Sequence, residues 1–180
     1  MVVVLGRSGG MTRRGGRRER ASTEEAIIVA FFDIANHLAR RGERMARQAG
    51  LTTQQWLVLL EVAGDPSFRK ARGIGAAPEG ILPSEIAQAR GVSRATVSAL
   101  VAQLLRLGLI RDVEDPEDGR RRRLLITPAG ERALSTIEPI RKEANRRLLA
   151  ALPPADREAL LGYLQATLAP LVEADRNDPV

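Results

Sequence analysis

No cysteine occurs in the 180 residues of this chain, and histidine occurs once, at position 37. Without thiols there is no disulfide, no thiolate metal site and no cysteine redox switch, so the fold asks for no oxidising compartment. Long apolar runs are missing too: none approaches the roughly 20 residues that span a bilayer. The opening MVVVLGRSGG puts its basic residues after its short apolar run, unlike a secretion signal. A cytoplasmic protein without a membrane partner is expected. There is also no glycine-rich phosphate loop after a strand and no carboxylate pair in a predicted cleft, which leaves an enzyme little to work with. The chain is expected not to be an enzyme and to carry neither metal nor cofactor.

What is present is charge, unevenly placed. The net charge is +6, but residues 1–20 hold six Arg against one Glu and account for +5 of it. This Gly/Arg-rich start has too few apolar groups to offset the entropy of ordering, so residues 1–21 are expected to form a disordered basic arm. Two readings of the arm stand side by side: an electrostatic tether to nucleic acid, or a start-site artefact, since Met11 could equally begin the chain.

Hydrophobic content of 44% can fill one core of ordinary domain size. Ser22 and Glu25 have capping-box spacing, which starts a long helix. Along it Ile27, Phe31, Ile34 and Leu38 form one apolar row and Ile28, Phe32 and Ala35 a second. A helix apolar on two sides is usually buried on two sides, as a dimer would bury it. Thr52 and Gln55 repeat the cap ahead of a short buried helix carrying Trp56, Leu57, Leu59, Leu60 and Val62. The Gly- and Pro-rich stretch 64–80 then breaks all periodicity and is expected to be a surface loop, with Arg69, Lys70 and Arg72 solvated.

From Leu82, LPSEIAQARGVSRATVSALVAQLLRLGLI predicts a helix over 83–90, a turn at Gly91 and a second helix over 93–107. Helices joined by a turn of about three or four residues make a helix-turn-helix. Val97, Leu100, Val101 and Leu104 face inward, leaving Arg94, Ala95, Ser98, Ala99 and Ala102 as a smooth outer face that a groove can accept. Gly108 stops the helix. LIRDVED and RRLLIT, joined by PEDG, then predict a β-hairpin. Thr127 and Pro128 start another helix reaching Ala151 through Pro139, expected to kink there. A last helix is expected over about 154–171 with Leu160, Leu161, Leu164 and Leu168 on its buried face.

The hairpin contains four consecutive arginines. Asp118 and Arg120 are expected at the tip and Arg121–Arg123 in the returning strand, where alternation sends them in different directions. The tip arginine would reach toward a minor groove, whose negative potential attracts guanidinium, while its neighbours reach phosphates. Asp118 is expected to brace Arg120 through a carboxylate–guanidinium pair. Acids at Asp112, Glu114, Asp115, Glu117 and Asp118 nearly cancel the local charge, which argues against a mere nonspecific polycation.

In the order and spacing of LTTQQWLVLLEVA, the helix pair and the wing DPEDGRRRRLLITPAG, the chain resembles the multiple antibiotic resistance regulator (MarR) family of winged-helix transcription factors over about residues 24–172. The wing holds the family's Asp-x-Arg element as Asp118-Gly119-Arg120. The resemblance implies a mainly α fold with a β-hairpin wing: a dimerisation helix over 22–50, a winged helix-turn-helix lobe over 51–127, dimerisation helices over 128–172 and a tail over 173–180. It also implies a homodimer on a pseudo-palindromic double-stranded operator, with Arg120 in the minor groove and the helix from Ser93 in the major groove. The long 64–80 stretch and the arginine-rich arm depart from the usual pattern.

The expected function is a sequence-specific, ligand-responsive repressor; the alternative is a winged module for DNA packaging or protein contacts. Arg94 is the expected base reader, because arginine can make two hydrogen bonds to guanine. Ser93, Ala95, Thr96 and Ser98 complete the expected helix contact and Asp118, Arg120, Arg121, Arg122 and Arg123 the wing contact. Many members of the family release DNA when a small, often phenolic, acid binds. Phe31, His37, Arg41 and Trp56 are candidates to line such a pocket, although Phe31 and Trp56 also fit an ordinary core and His37 an ordinary surface.

Overall fold

A computed structural model describes residues 22–72 and 80–177, without the side chains of residues 72 and 175–177. The expected basic arm, residues 73–79 of the expected loop and the last three residues of the expected tail lie outside this range. The chain divides into two units, residues 1–37 and 38–180. Helix α1 spans Thr23–Ala46, and a short 3-10 turn over Arg47–Ala49 follows. Helices α2 (Thr53–Val62), α3 (Pro66–Arg72), α4 (Pro83–Arg90) and α5 (Arg94–Arg106) come next. Strands β1 (Ile110–Glu114) and β2 (Arg122–Ile126) form an antiparallel hairpin, and α6 (Pro128–Leu148) and α7 (Pro154–Asn177) end the chain.

Local chemistry sets most of these boundaries. In the first unit, the Ser22 hydroxyl accepts from the Glu25 amide at 3.1 Å while the Glu25 carboxylate accepts from the Ser22 amide at 3.3 Å. Thr52 and Gln55 exchange the same two bonds at the start of α2, at 3.2 and 2.9 Å. Each pair satisfies two amides that a helix start leaves without partners. Gly91 and Gly108 close α4 and α5 with φ of +60° and +66°.

Two expectations need correction. The stretch 64–80 is not all loop, because Pro66–Arg72 is helical. Asp65 starts α3 by accepting from the Ser67 amide at 2.8 Å, Pro66 sits where no amide is needed, and Phe68 packs against the core. Helix α6 passes through Pro139 and ends at Leu148 rather than Ala151, whereas α7 runs through Pro170 to Asn177 instead of stopping near 171. The stripe expected to be buried on α7 is largely open within one chain: Leu160, Leu164 and Leu168 are exposed. Apolar rows on α1 are open as well, with Phe32 68% exposed.

In the second unit the core is centred on the winged lobe. Leu59 from α2, Ile86 from α4, Val97 and Leu104 from α5, Leu124 from β2 and Ile137 from α6 are fully buried together. Each contributes about 1.5 to 3 kcal/mol of transfer free energy, so these side chains fix the lobe before any polar contact acts. Gly130 in the first turn of α6 lies so close to the wing that an added Cβ would come within 2.2 Å of the Leu109 carbonyl oxygen. Beside it, the Thr127 hydroxyl accepts from the Gly130 amide at 3.2 Å and donates to the Gly108 carbonyl at 2.7 Å. That one side chain joins the end of α5 to the start of α6. Thr127→Ala is therefore expected to lower stability by about 1 kcal/mol, read as a lower urea midpoint with an unchanged slope.

Candidate nucleic-acid interface

Helix α5 presents its outer face because its inner face is committed. Val97, Val101 and Leu104 point into the core at helical spacing, so Arg94, Ala95, Ser98, Ala99 and Ala102 are left exposed. Ser93 caps the helix, accepting from the Thr96 amide at 3.1 Å, and its hydroxyl lies 2.8 Å from that of Thr96. Two of the expected contact residues thus hold each other and fix where α5 begins. Behind them Gln55 donates to Gln103 at 2.8 Å and Arg90 to Gln54 at 2.7 Å, tying α2 to both helices of the pair. Among the described residues Arg94 has no ion-pair partner.

The wing sorts its four arginines. The register sets Glu114 opposite Arg122 and Val113 opposite Arg123. Arg122 pairs with Asp112 at 2.9 Å and with Glu114 at 3.4 Å on β1, and the Arg122 hydrogen bond holds the Asp112 carboxyl below the usual carboxylate range. Arg123 projects from the other face and pairs with Asp115 at 3.1 Å. Arg121 lies before β2, not within it as expected; its amide donates to the Asp118 carbonyl at 2.8 Å and its carbonyl accepts from Asp115.

The expected brace of Arg120 by Asp118 takes a different form. One Asp118 oxygen accepts from the Arg120 amide at 3.1 Å and the other pairs with the Arg121 guanidinium at 3.3 Å. Asp118 thus fixes the backbone at Arg120, and the tight turn brings the next guanidinium to the carboxylate instead. Arg120 itself is exposed, and its guanidinium has no partner among the described residues. Asp115, noticed in the sequence only as one acid among five, is 4% exposed and organises the turn. A hydrogen bond from the Glu117 amide, followed by the Arg123 guanidinium, outweighs burial and lowers its pKa. An Asp followed by Pro at the start of a turn was the available signal.

The four pocket candidates fall in different places. Phe31 is half-buried and His37 exposed, both in the first unit; Arg41, in the second, donates to the Asn145 side chain at 2.6 Å. Trp56 is 5% exposed in the core and lines a cleft of about 200 Å³, whose walls do not include the other three. That cleft lies between α2 and α6, with Asp65 and Pro66 among its walls. Leu60, Ala63, Leu134, Ser135, Glu138 and Arg141 complete its lining.

Residues 49–121 match the model of the MarR family. The transcriptional regulator HosA of Escherichia coli O111:H- is 28% identical over 109 residues, covering 61% of this chain and 80% of that one. The transcriptional activatory protein BadR of Rhodopseudomonas palustris is 30% identical over 104 residues, covering 58% of this chain and 54% of BadR, so the match spans about half of that relative. Among solved structures, the S. aureus MepR–DNA complex is similar with a TM-score of 0.66 and 23% identity, covering 83% of this chain and 99% of that one. At that identity the likeness concerns the fold, a mainly helical unit with a two-stranded wing. No described helix is long and apolar enough to cross a membrane.

Proposed function

Because this winged lobe belongs to the MarR family, we propose that the chain acts as a homodimeric, sequence-specific DNA-binding regulator. Helix α5 enters a major groove and the wing tip carries Arg120 into the flanking minor groove. One observation carries this reading: the small-residue face of α5 and the tip of the wing each present an exposed arginine, Arg94 and Arg120, that no described acid neutralises. Ser98 lies on the same α5 face, while Arg121 reaches phosphate from beside the tip. Two-fold symmetry would place half-sites about one helical turn, roughly 10 base pairs, apart.

The test is to select duplexes from a random pool with the purified protein and to measure affinity for selected and random DNA at several salt concentrations. A regulator yields a pseudo-palindrome and a large ratio between the two affinities. A packaging module yields a steep salt slope and no motif. Within the motif, Arg94→Ala is expected to cost about 1 to 3 kcal/mol and to relax preference at one base position in each half-site. An unchanged motif would remove Arg94 from the role of base reader.

The cleft beside Trp56 supports a ligand-responsive regulator, with a small aromatic acid as effector and Arg141, paired with Asp65, as the cation in its walls. Trp56 is the single tryptophan of the chain, so tryptophan emission comes from one residue, and that residue lines the cleft. Titration with aromatic acids should change its emission and release operator DNA over the same concentration range. Release without any change in emission would move the effector site elsewhere.

A further inference from the structure

We propose that Asp115 and Arg123 are positioning residues of the wing: with the Gly80 carbonyl they fix the direction in which the tip presents Arg120. They thereby set how strictly DNA is read where the tip reaches. The inference rests on the DNA-binding reading above but concerns residues that need not touch DNA.

Asp115 is where the two sides of the turn meet. Its amide donates to the Arg121 carbonyl at 3.1 Å, its carbonyl accepts from the Asp118 amide at 3.3 Å, and its carboxylate accepts from the Glu117 amide at 3.0 Å. The remaining carboxylate oxygen faces the Arg123 Nε at 3.1 Å, and the side chains are 2% and 18% exposed. Arg123 also reaches past the hairpin, its Nη1 donating to the Gly80 carbonyl at 3.3 Å.

Gly80 is where the chain comes in to start the helix pair, three residues before α4. It sits at φ +89°, and a Cβ there would lie 2.8 Å from the Leu124 carbonyl oxygen, so only glycine lets the two backbones approach this closely. The next residue, Ile81, exchanges both backbone hydrogen bonds with Leu124, at 3.2 and 2.9 Å. The returning strand is therefore fastened on one edge to β1 and on the other to the chain entering α4.

A two-stranded hairpin alone is marginally stable and would swing about its base. The Ile81–Leu124 backbone bonds and the Arg123–Gly80 hydrogen bond together convert it into an extension of the helix pair, and Asp115 carries that fixed frame round the turn to Asp118, whose carboxylate holds the Arg120 amide. A partly buried ion pair contributes little net stability compared with apolar residues of the same volume, because desolvation offsets the attraction. What it supplies at this place is direction.

Two readouts test the idea on the full chain. First, a nitroxide attached through Gly119→Cys labels one site only, since the chain has no other cysteine. In free protein its mobility should rise in Asp115→Asn and in Arg123→Gln, and also in Arg123→Met, which keeps the packing volume. Unchanged mobility in folded Arg123→Met would overturn the proposal without any DNA present. Second, Asp115→Asn and Arg123→Gln should select a motif with the α5 positions intact and the wing-flanking positions relaxed. Affinity for the wild-type operator should drop about tenfold, and the double variant should be no weaker than the weaker single one, as for two parts of one device. Variants that select the wild-type motif at wild-type affinity overturn the positioning role alone; a wild-type protein that selects no motif overturns the DNA-binding reading and this proposal together.

Discussion

Asp65→Ala is expected to destabilise the protein by roughly 3 kcal/mol, the scale on which removing one partner strands the other charge of a buried pair. Asp65 stands at the corner between α2 and α3, and its carboxylate accepts from the Arg141 guanidinium of α6 at 2.8 Å, with side chains only 11% and 14% exposed. The same carboxylate starts α3 through the Ser67 amide, so the variant loses a helix cap together with an ion pair. Arg141→Met strands the acid in the same way, whereas Asp65→Ala combined with Arg141→Met should recover much of the loss, because no charge is then left without its partner. Urea unfolding of the four proteins measures the cycle. Additive losses would show that the two side chains do not act as a pair.

The same pair has a pH signature with a definite sign. Burial pushes the Asp65 carboxyl up, but hydrogen bonds from Arg141 and Ser67 outweigh it and hold its pKa below the ordinary value. Its contribution is therefore fully present above the unfolded-state pKa, near 3.9, and is lost as pH falls through the lower folded-state value. Glu143, held at about 2 by Arg146 and Arg147, acts in the same direction on the surface of α6. Acid unfolding of wild type should thus begin below about pH 4, and Asp65→Asn should flatten that limb. The functional consequence lies in the cleft, since Asp65 and Arg141 both line it beside Trp56.

What could be seen in the sequence depended on how local the cause was. Helix starts were visible because a cap acts over three residues: Ser22 with Glu25, Thr52 with Gln55, and Thr127 ahead of Pro128 all form the bonds that their spacing implies. The inner row of α5 was visible for the same reason. Helix α3 was hidden because Gly64 and Pro66 read as breakers, although Asp65, Pro66 and Ser67 together make a helix start. The partners of the wing arginines needed the strand register. Only when Glu114 faces Arg122 does it follow that Arg122 is held by acids on β1, while Arg123 turns the other way toward Asp115. Periodicity likewise marked the apolar row of α7 but carried no information about what covers it.

That uncovered row leads to the largest expected functional effect: Leu164→Glu with Leu168→Glu should yield a folded monomer whose operator affinity is lower by about 10² to 10⁴. Leu164 and Leu168 are one turn apart on α7 and 40% and 45% exposed, with Leu160, Leu171 and the 72%-exposed Tyr163 on the same helix. On α1, separately, Ile27, Ile28, Phe32 and Ile34 are exposed. Exposed apolar rows of this kind mark an interaction site, and a second copy is the simplest partner because a two-fold axis lets each chain cover the other. Neither glutamate would enter the winged-lobe core, which is built from other elements, so the lobe should stay folded and still bind a half-site weakly. The affinity loss then measures the linkage of two half-site contacts into one event, which a lone lobe cannot supply however well Arg94 and Arg120 are placed. Sedimentation and operator titration separate the possibilities. A variant that remains dimeric puts the interface on other surfaces, and one that becomes monomeric with undiminished affinity shows that pairing of lobes is not how this protein gains its hold on DNA.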